Sequence, residues 1–475
     1  MAATRRDQVR MGRAAALAAE RGEAVREHLA ALDGPHAWIE FDQAVRAAWR
    51  YAPVPVGAPL EVLLCHPDGR VREASLGLAH ATPEPVAIRC ADWAPPVRER
   101  ARRVLEEFLE RDPVATLVAL TPLVLRLGLR EHGRWAVLRF EEALRMAGPA
   151  ASAAVRASAD HSTRRFAVRA EIAAGRFGVR DLAREAAAER DPLTAALWAD
   201  AALAARAAAP GAPDEGAVDL LLGGRVALVR ASGVTALRGA ERAAEASAYL
   251  GDRSAMVRAC ARWASRQAGA DPLVFLRGRV ADRGRVTPGE VGGFVECARR
   301  DDAAPVLREL LDHPVAGVRA AAVAGLAGLE AVEPALLFPL LDDPSAAVVR
   351  RVARALNPDA PRLDATALVV RTGPDRPAAT RRAAFRLLLA RGGLDGIRTA
   401  VDLLDDGDPD LRGLAEATVR SWEPTHFTAA APREVLGGLL LRSAHVLDPY
   451  RLALRLGRLG LGEWNRTPPT RPSNG

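Results

Sequence analysis

The stretch Leu340-Leu341-Asp342-Asp343-Pro344, followed by Val348-Val349-Arg350 and then Ala353, decides how this chain is read. Arg319 lies 31 residues before Arg350, and Arg381 and Arg412 follow at the same step. Immediately before these arginines stand Val318, Val349, Thr380 and Leu411. Three residues after them stand Ala322, Ala353, Ala384 and Ala415. Apolar residues return about one further turn on, as Leu326, Leu356, Leu387 and Val419. Self-similarity at a fixed period of this length marks an array of one repeated supersecondary unit.

The residues ahead of each arginine agree. Leu310-Leu311-Asp312 with Pro314, and Leu403-Leu404-Asp405-Asp406 with Pro409, repeat the opening phrase. A Leu pair closes a first helix. Asp and Pro then stop it and open the next, as N-cap and first-turn residues do. The copy around Gly373-Pro374-Asp375 has Val369-Val370 in place of the Leu pair. Looser copies lie upstream. Gly251-Asp252 leads to Met256-Val257-Arg258, Asp92-Trp93 to Pro96-Val97-Arg98, and Pro67-Asp68 to Val71-Arg72; Leu228-Val229-Arg230 is another. Helical pairs are expected near 112–147, 149–174 and 178–208, separated by turn clusters such as Gly148-Pro149 and Pro210-Gly211. The total is about 10–12 helix pairs. Val318, Ala322 and Leu326 fall at i, i+4 and i+8, one stripe of a helix. Two short helices cannot bury such stripes alone, so each pair must stack on the next.

The Asp-Pro turn followed by Val-Arg-x-x-Ala resembles the second-helix signature of the HEAT-repeat (PBS-lyase HEAT-like) α-solenoid family, most clearly from Asp252 to Trp422. The resemblance implies an all-α fold, a right-handed α-α superhelix. It also implies a ladder of turn Asp and helix Arg between neighbouring repeats. That ladder would use Asp252 and Arg258, Asp312 and Arg319, Asp343 and Arg350, Asp375 and Arg381, and Asp406 and Arg412. The expected organisation is an N-terminal helical cap over 1–58, degenerate repeats over 59–302 and regular repeats over 303–425. Cap helices over 426–463 and a disordered tail over 464–475 complete it.

Composition points the same way. Of the 475 residues, 49% are hydrophobic but only 4% aromatic, with Ala and Leu supplying much of the apolar content. These are the best apolar helix formers. The net charge of +7 comes from arginine alone, for the chain has no lysine. Residues 1–350 hold 47 Arg against 45 acids, and residues 351–475 hold 19 against 14. A solenoid wrapping nucleic acid would carry a basic stripe over many repeats. Cys65, Cys90, Cys260 and Cys297 form no CxxC pair and read as buried free thiols in a reducing cytoplasm. No stretch has the ~20 apolar residues of a membrane helix.

Chemistry-bearing motifs are sparse. No two of the nine histidines have the i, i+3 or i+4 spacing of a helical metal pair, and no His-Glu dipeptide occurs. Without lysine there is neither a phosphate-cradling GK[ST] loop nor a Ser-x-x-Lys set. No catalytic residue, cofactor or metal is therefore assigned. The tryptophans, Trp93, Trp135, Trp198 and Trp263 among them, are expected to pack or to edge the repeats. Arg5–Leu32 reads as one charged helix capping the first repeat, with Leu17, Val25, Leu29 and Leu32 as its apolar stripe. Near the C-terminus Arg451, Arg455 and Arg458 form one basic helical face, a candidate partner surface, beside Leu452, Leu456 and Leu459. The functional expectation is a non-catalytic cytoplasmic scaffold that binds a protein or peptide along its stacked helices. The alternatives are a nucleic-acid-binding or DNA-repair protein of this type, with second-helix Arg258, Arg262 and Arg266 on one concave surface, and a helical-repeat lyase.

Overall fold

The computed structural model describes residues 3–23, 25–50, 57–79, 82–208, 215–239 and 241–462. Their regular structure is entirely helical, with no strand among them. The chain divides into two compact units, Met1–Glu241 and Arg242–Gly475. The division falls inside the stretch read as degenerate repeats.

The first unit opens with α1 (Arg5–Arg21), α2 (Val25–Ala30), α3 (Pro35–Ala48), α4 (Leu60–Leu64) and α5 (Gly69–Leu76). It continues with α6 (Pro83–Arg89), α7 (Pro95–Arg111), α8 (Pro113–Leu127), α9 (Arg134–Arg156) and α10 (His161–Ala173). It ends with α11 (Val179–Ala188), α12 (Pro192–Ala208), α13 (Glu215–Leu222) and α14 (Ala227–Gly239). Helices next in sequence pack as pairs, α6 on α7, α11 on α12 and α13 on α14. Alternate helices also touch, α5 on α7, α6 on α8, α10 on α12 and α12 on α14.

The second unit holds α15 (Ala255–Gln267), α16 (Pro272–Ala281), α17 (Pro288–Cys297), α18 (Arg300–Glu309), α19 (Ala316–Gly328) and α20 (Pro334–Leu337). It then has α21 (Ala346–Leu356), α22 (Ala365–Arg371), α23 (Ala378–Arg391), α24 (Leu394–Asp402), α25 (Pro409–Ser421), α26 (Arg433–Arg442) and α27 (Pro449–Arg458). Here α17 packs on α19, α19 on α21 and α21 on α23, while α16, α18, α22 and α24 each pair with the helix that follows. Val318, Val349, Thr380 and Leu411 are all fully buried, on α19, α21, α23 and α25.

Local chemistry explains the helix starts and stops. Asp112, Asp160, Asp364, Asp408 and Asp448 each accept a backbone N–H of the helix they precede. Pro409 and Pro449 open their helices, but Pro314 and Pro344 sit in the turn, before the N-caps Val315 and Ser345. The Leu pairs at 310–311 and 340–341 lie in 3-10 turns rather than in the last turn of an α-helix.

At the N-terminus the expected single helix breaks. Gly22 takes a left-handed φ of 72° and stops α1, and α2 begins at Val25. The buried face of α1 is made of Ala15, Ala16, Ala18 and Ala19, whereas Leu17 is half exposed. Close approach to α3 selects small side chains there: a Cβ on Gly12 would lie 2.4 Å from the Ala37 carbonyl oxygen. Gly148, with φ 83° and ψ −174°, breaks α9 ahead of Pro149.

Candidate functional site: arginine staples and the surface they leave

One side-chain device recurs along the chain. The Nη1 of Arg72, Arg98, Arg164, Arg258, Arg319 and Arg412 donates to the carbonyl six residues earlier. The acceptors are His66 (2.7 Å), Asp92 (2.8 Å), Ser158 (2.7 Å), Asp252 (2.7 Å), His313 (2.8 Å) and Asp406 (2.7 Å). Arg230 does the same to Gly224 at 3.0 Å. Turn carbonyls have no partner in a helix ladder, and a guanidinium on the following helix supplies one.

Apart from Gly224, the acceptor residue works with its side chain as well. His66, Asp92, Ser158, Asp252, His313 and Asp406 each accept the N–H two residues on. Each turn is thus closed from both sides. The acceptor is not always Asp. Before Arg319, His313 occupies the position that the resemblance gave to Asp312, and Asp312 is exposed. His66 rather than Asp68 does so before Arg72, and Asp68 instead caps α5. The Ser158–Arg164 copy was missed. A fixed spacing of six would have found all three, whereas Asp312 to Arg319 is seven.

Some of these arginines also reach forward to the next turn. Arg319 grips Asp343 with Nε and Nη2, both at 2.8 Å. Arg72 grips Asp92 at 3.0 and 2.9 Å. Arg381 binds both oxygens of Asp406 and donates through Nε to the Thr372 carbonyl at 2.9 Å. Arg258 instead chelates Glu296 on α17, which Arg262 shares. Hydrogen bonding to Asp343 raises the Arg319 pKa, and hydrogen bonding from Arg381 lowers that of Asp406. At Arg319 and Arg381 the ladder therefore runs from the arginine of one pair to the turn of the next. Within the expected pairs, Asp252 with Arg258 and Asp406 with Arg412 meet through the backbone carbonyl. Asp312, Asp343 and Asp375 show no bond to Arg319, Arg350 and Arg381. Two rungs are missing among the described residues, for Arg412 donates only to the Asp406 carbonyl and Arg350 reaches no carboxylate. Asp375 is exposed and pairs with Arg376 at 3.4 Å, and Arg350 is exposed on α21.

In the first unit the rung grows into a buried cluster. Asp92 receives Arg72 and also Arg89 (3.0 Å) and Arg46 (3.3 Å). Arg46 and Arg89 in turn hold Asp42, Arg46 at 3.1 Å. The side chains of Arg72, Arg89, Asp42 and Asp92 are all at most 4% exposed. Burial, with Asp42 beside it, pushes the Cys65 thiol well up. These ion pairs tie α3, α5 and α6 together.

Other named residues fall into place around this frame. Arg455 is buried and donates to the Val419 and Arg420 carbonyls at the end of α25, at 3.0 and 2.8 Å. Arg458 holds Glu423 at 2.7 Å, and Arg451 is exposed. Two members of the expected basic face are thus committed inside the chain. Trp198 is fully buried, Trp135 stacks under Arg102 at 4.7 Å, and Trp93 is 69% exposed. Cys65 and Cys90 are buried, whereas Cys260 and Cys297 are half-buried, and all four are free. Arg266 is exposed, while Arg258 and Arg262 share the Glu296 carboxylate. His80, Asn465 and the stretch 464–475 lie outside the described residues. Among the described residues no group of three or more His, Cys, Asp or Glu could hold a metal ion. No helix among them is long and apolar enough to cross a membrane.

The described residues define an all-helical protein whose turns are closed by arginine side chains. No protein-family model and no curated protein matches the chain.

Proposed function

We propose that this chain is a HEAT-like α-solenoid scaffold, non-catalytic and cytoplasmic, that binds a protein or peptide along its second helices. In this reading the helix pairs of each unit stack as a right-handed superhelix. The observation that carries it is the side-by-side packing of α17, α19, α21 and α23, with Val318, Val349 and Thr380 in equivalent, fully buried places. Such an array leaves one long helical face open and rigid, which is how stacked repeats present binding surfaces. The staples support the reading because they fix the turns between successive helices at six-residue spacing. Affinity capture from native extract tests it. Recovery of a stoichiometric protein partner is the expected result, and its repeated absence at low and physiological salt would remove the proposal.

A further inference from the structure

We infer that α21 and the trough beside it form a docking site for an extended acidic peptide. This inference rests on the scaffold reading and names the site and the partner chemistry. Arg350, Arg351 and Arg354 are all exposed on one face of α21. At spacings of i, i+1 and i+4 they form a single patch. None of the three has a side-chain hydrogen bond or ion pair among the described residues. The cause is the missing rung at Arg350. Arg319 and Arg381, at the equivalent positions one repeat away, are held by Asp343 and Asp406, and Arg350 has no such acceptor because Asp375 pairs with its own neighbour.

Next to this patch lies a trough of about 400 Å³. Its charged lining is Arg351, Arg253, Arg258 and Glu296. Its floor is Ala320, Ala321 and Ala324 of α19 with Gly292 of α17, and no exposed charge occurs on α19. Small lining residues let a peptide backbone lie close. Glu296, which also lines the trough, already holds Arg258, so Arg351 is the lining arginine placed to match a carboxylate. Crossing from α17 to α21 spans about two interhelix distances of 8–10 Å. An extended chain covers that with about six residues.

Charge decides between a peptide and a nucleic acid. Most arginines on the flanking helices are neutralised, Arg258 and Arg262 by Glu296, Arg319 by Asp343, Arg381 by Asp406, and Arg382 by Asp408 and Asp410, whereas Arg386 of α23 is exposed without an ion pair among the described residues. The free positive charge is a local patch, too short for a duplex backbone but suited to two or three carboxylates.

The test is fluorescence anisotropy on the full chain with a labelled Glu-rich peptide of about ten residues. Its Gln counterpart and a DNA duplex serve as competing probes. The expected result is salt-sensitive binding of the Glu peptide alone, weakened at least about tenfold by R350E/R351E/R354E. Ala320→Leu, which fills the floor, weakens it too. Arg103→Glu, an exposed arginine on α7, leaves it unchanged. Circular dichroism melts check that each variant folds. Equal binding by wild type and the triple variant overturns the inference, as does binding of the duplex but not the peptide. Capture from native extract separates the two levels. A partner recovered equally by wild type and triple variant rejects this site and leaves the scaffold reading standing. No peptide binding and no partner rejects both.

Discussion

The guanidinium of Arg319 holds both oxygens of Asp343, each at 2.8 Å, while its remaining nitrogen closes the turn at His313. Arg350 aligns with Arg319 in the repeat, yet it is exposed and holds no carboxylate.

That contrast gives a mutational expectation. Arg319→Ala leaves the Asp343 carboxylate, which is 4% exposed, without its partner. Such a change costs on the order of 1–3 kcal/mol. Arg350→Ala changes stability by no more than about 0.5 kcal/mol. Urea denaturation of the two variants measures the difference, and equal midpoints would contradict the assignment of the rung.

The buried cluster of the first unit should be less forgiving. Asp92→Ala leaves the buried Arg72 with carbonyl partners alone and the buried Arg89 with only Asp42. Losing one partner of a buried ionic network costs about 3–5 kcal/mol. Asp68→Ala, at an exposed cap of α5, costs about 1 kcal/mol. Thermal melts of both variants check the order.

Acid should loosen the rungs. Hydrogen bonds from Arg381 hold Asp406 below the ordinary carboxylate range, and those from Arg165 hold Asp191 far below it. A depressed folded pKa means stability that is fully present above the unfolded value, about 3.9, and lost as pH falls through the folded one. Unfolding midpoints should therefore stay level from neutral pH to mildly acid conditions as far as these groups are concerned, then drop below about pH 4. Asp406→Asn with Asp191→Asn should flatten part of that drop; an unchanged acid limb in the double variant would exclude these two groups as its source.

Thiol chemistry reports on burial. Desolvation pushes the Cys90 and Cys65 thiols up, and both are enclosed. Cys260 and Cys297 are half-buried. Burial raises the Cys297 thiol as well, so on thiolate reactivity and access a disulfide reagent should label Cys260 fastest, Cys297 more slowly, and the other two only after denaturation. Mass mapping of labelled peptides checks this.

How far the sequence could be read depended on what kind of signal carried each feature. The step from Val318 to Val349 to Leu411 was legible because burial of a helical stripe leaves a strict period. The break at Gly22 was not, since the charge pattern runs on through Gly22 and only the backbone shows the left-handed turn there. Arg455 read as a surface cation, because nothing local announces that the end of α25 offers it two carbonyls. Before Arg319 the turn is closed by His313, not by the Asp312 that the Asp-Arg pattern singles out.

By itself the sequence determined that the chain is helical and that one unit recurs, because helix propensity and apolar spacing are local properties written residue by residue. Tertiary structure alone decided which arginine finds which carboxylate. A guanidinium on a long flexible stem takes whichever acceptor the neighbouring turn brings within about 3 Å. The same letter therefore becomes a staple at Arg319, a rung at Arg381 and an open charge at Arg350.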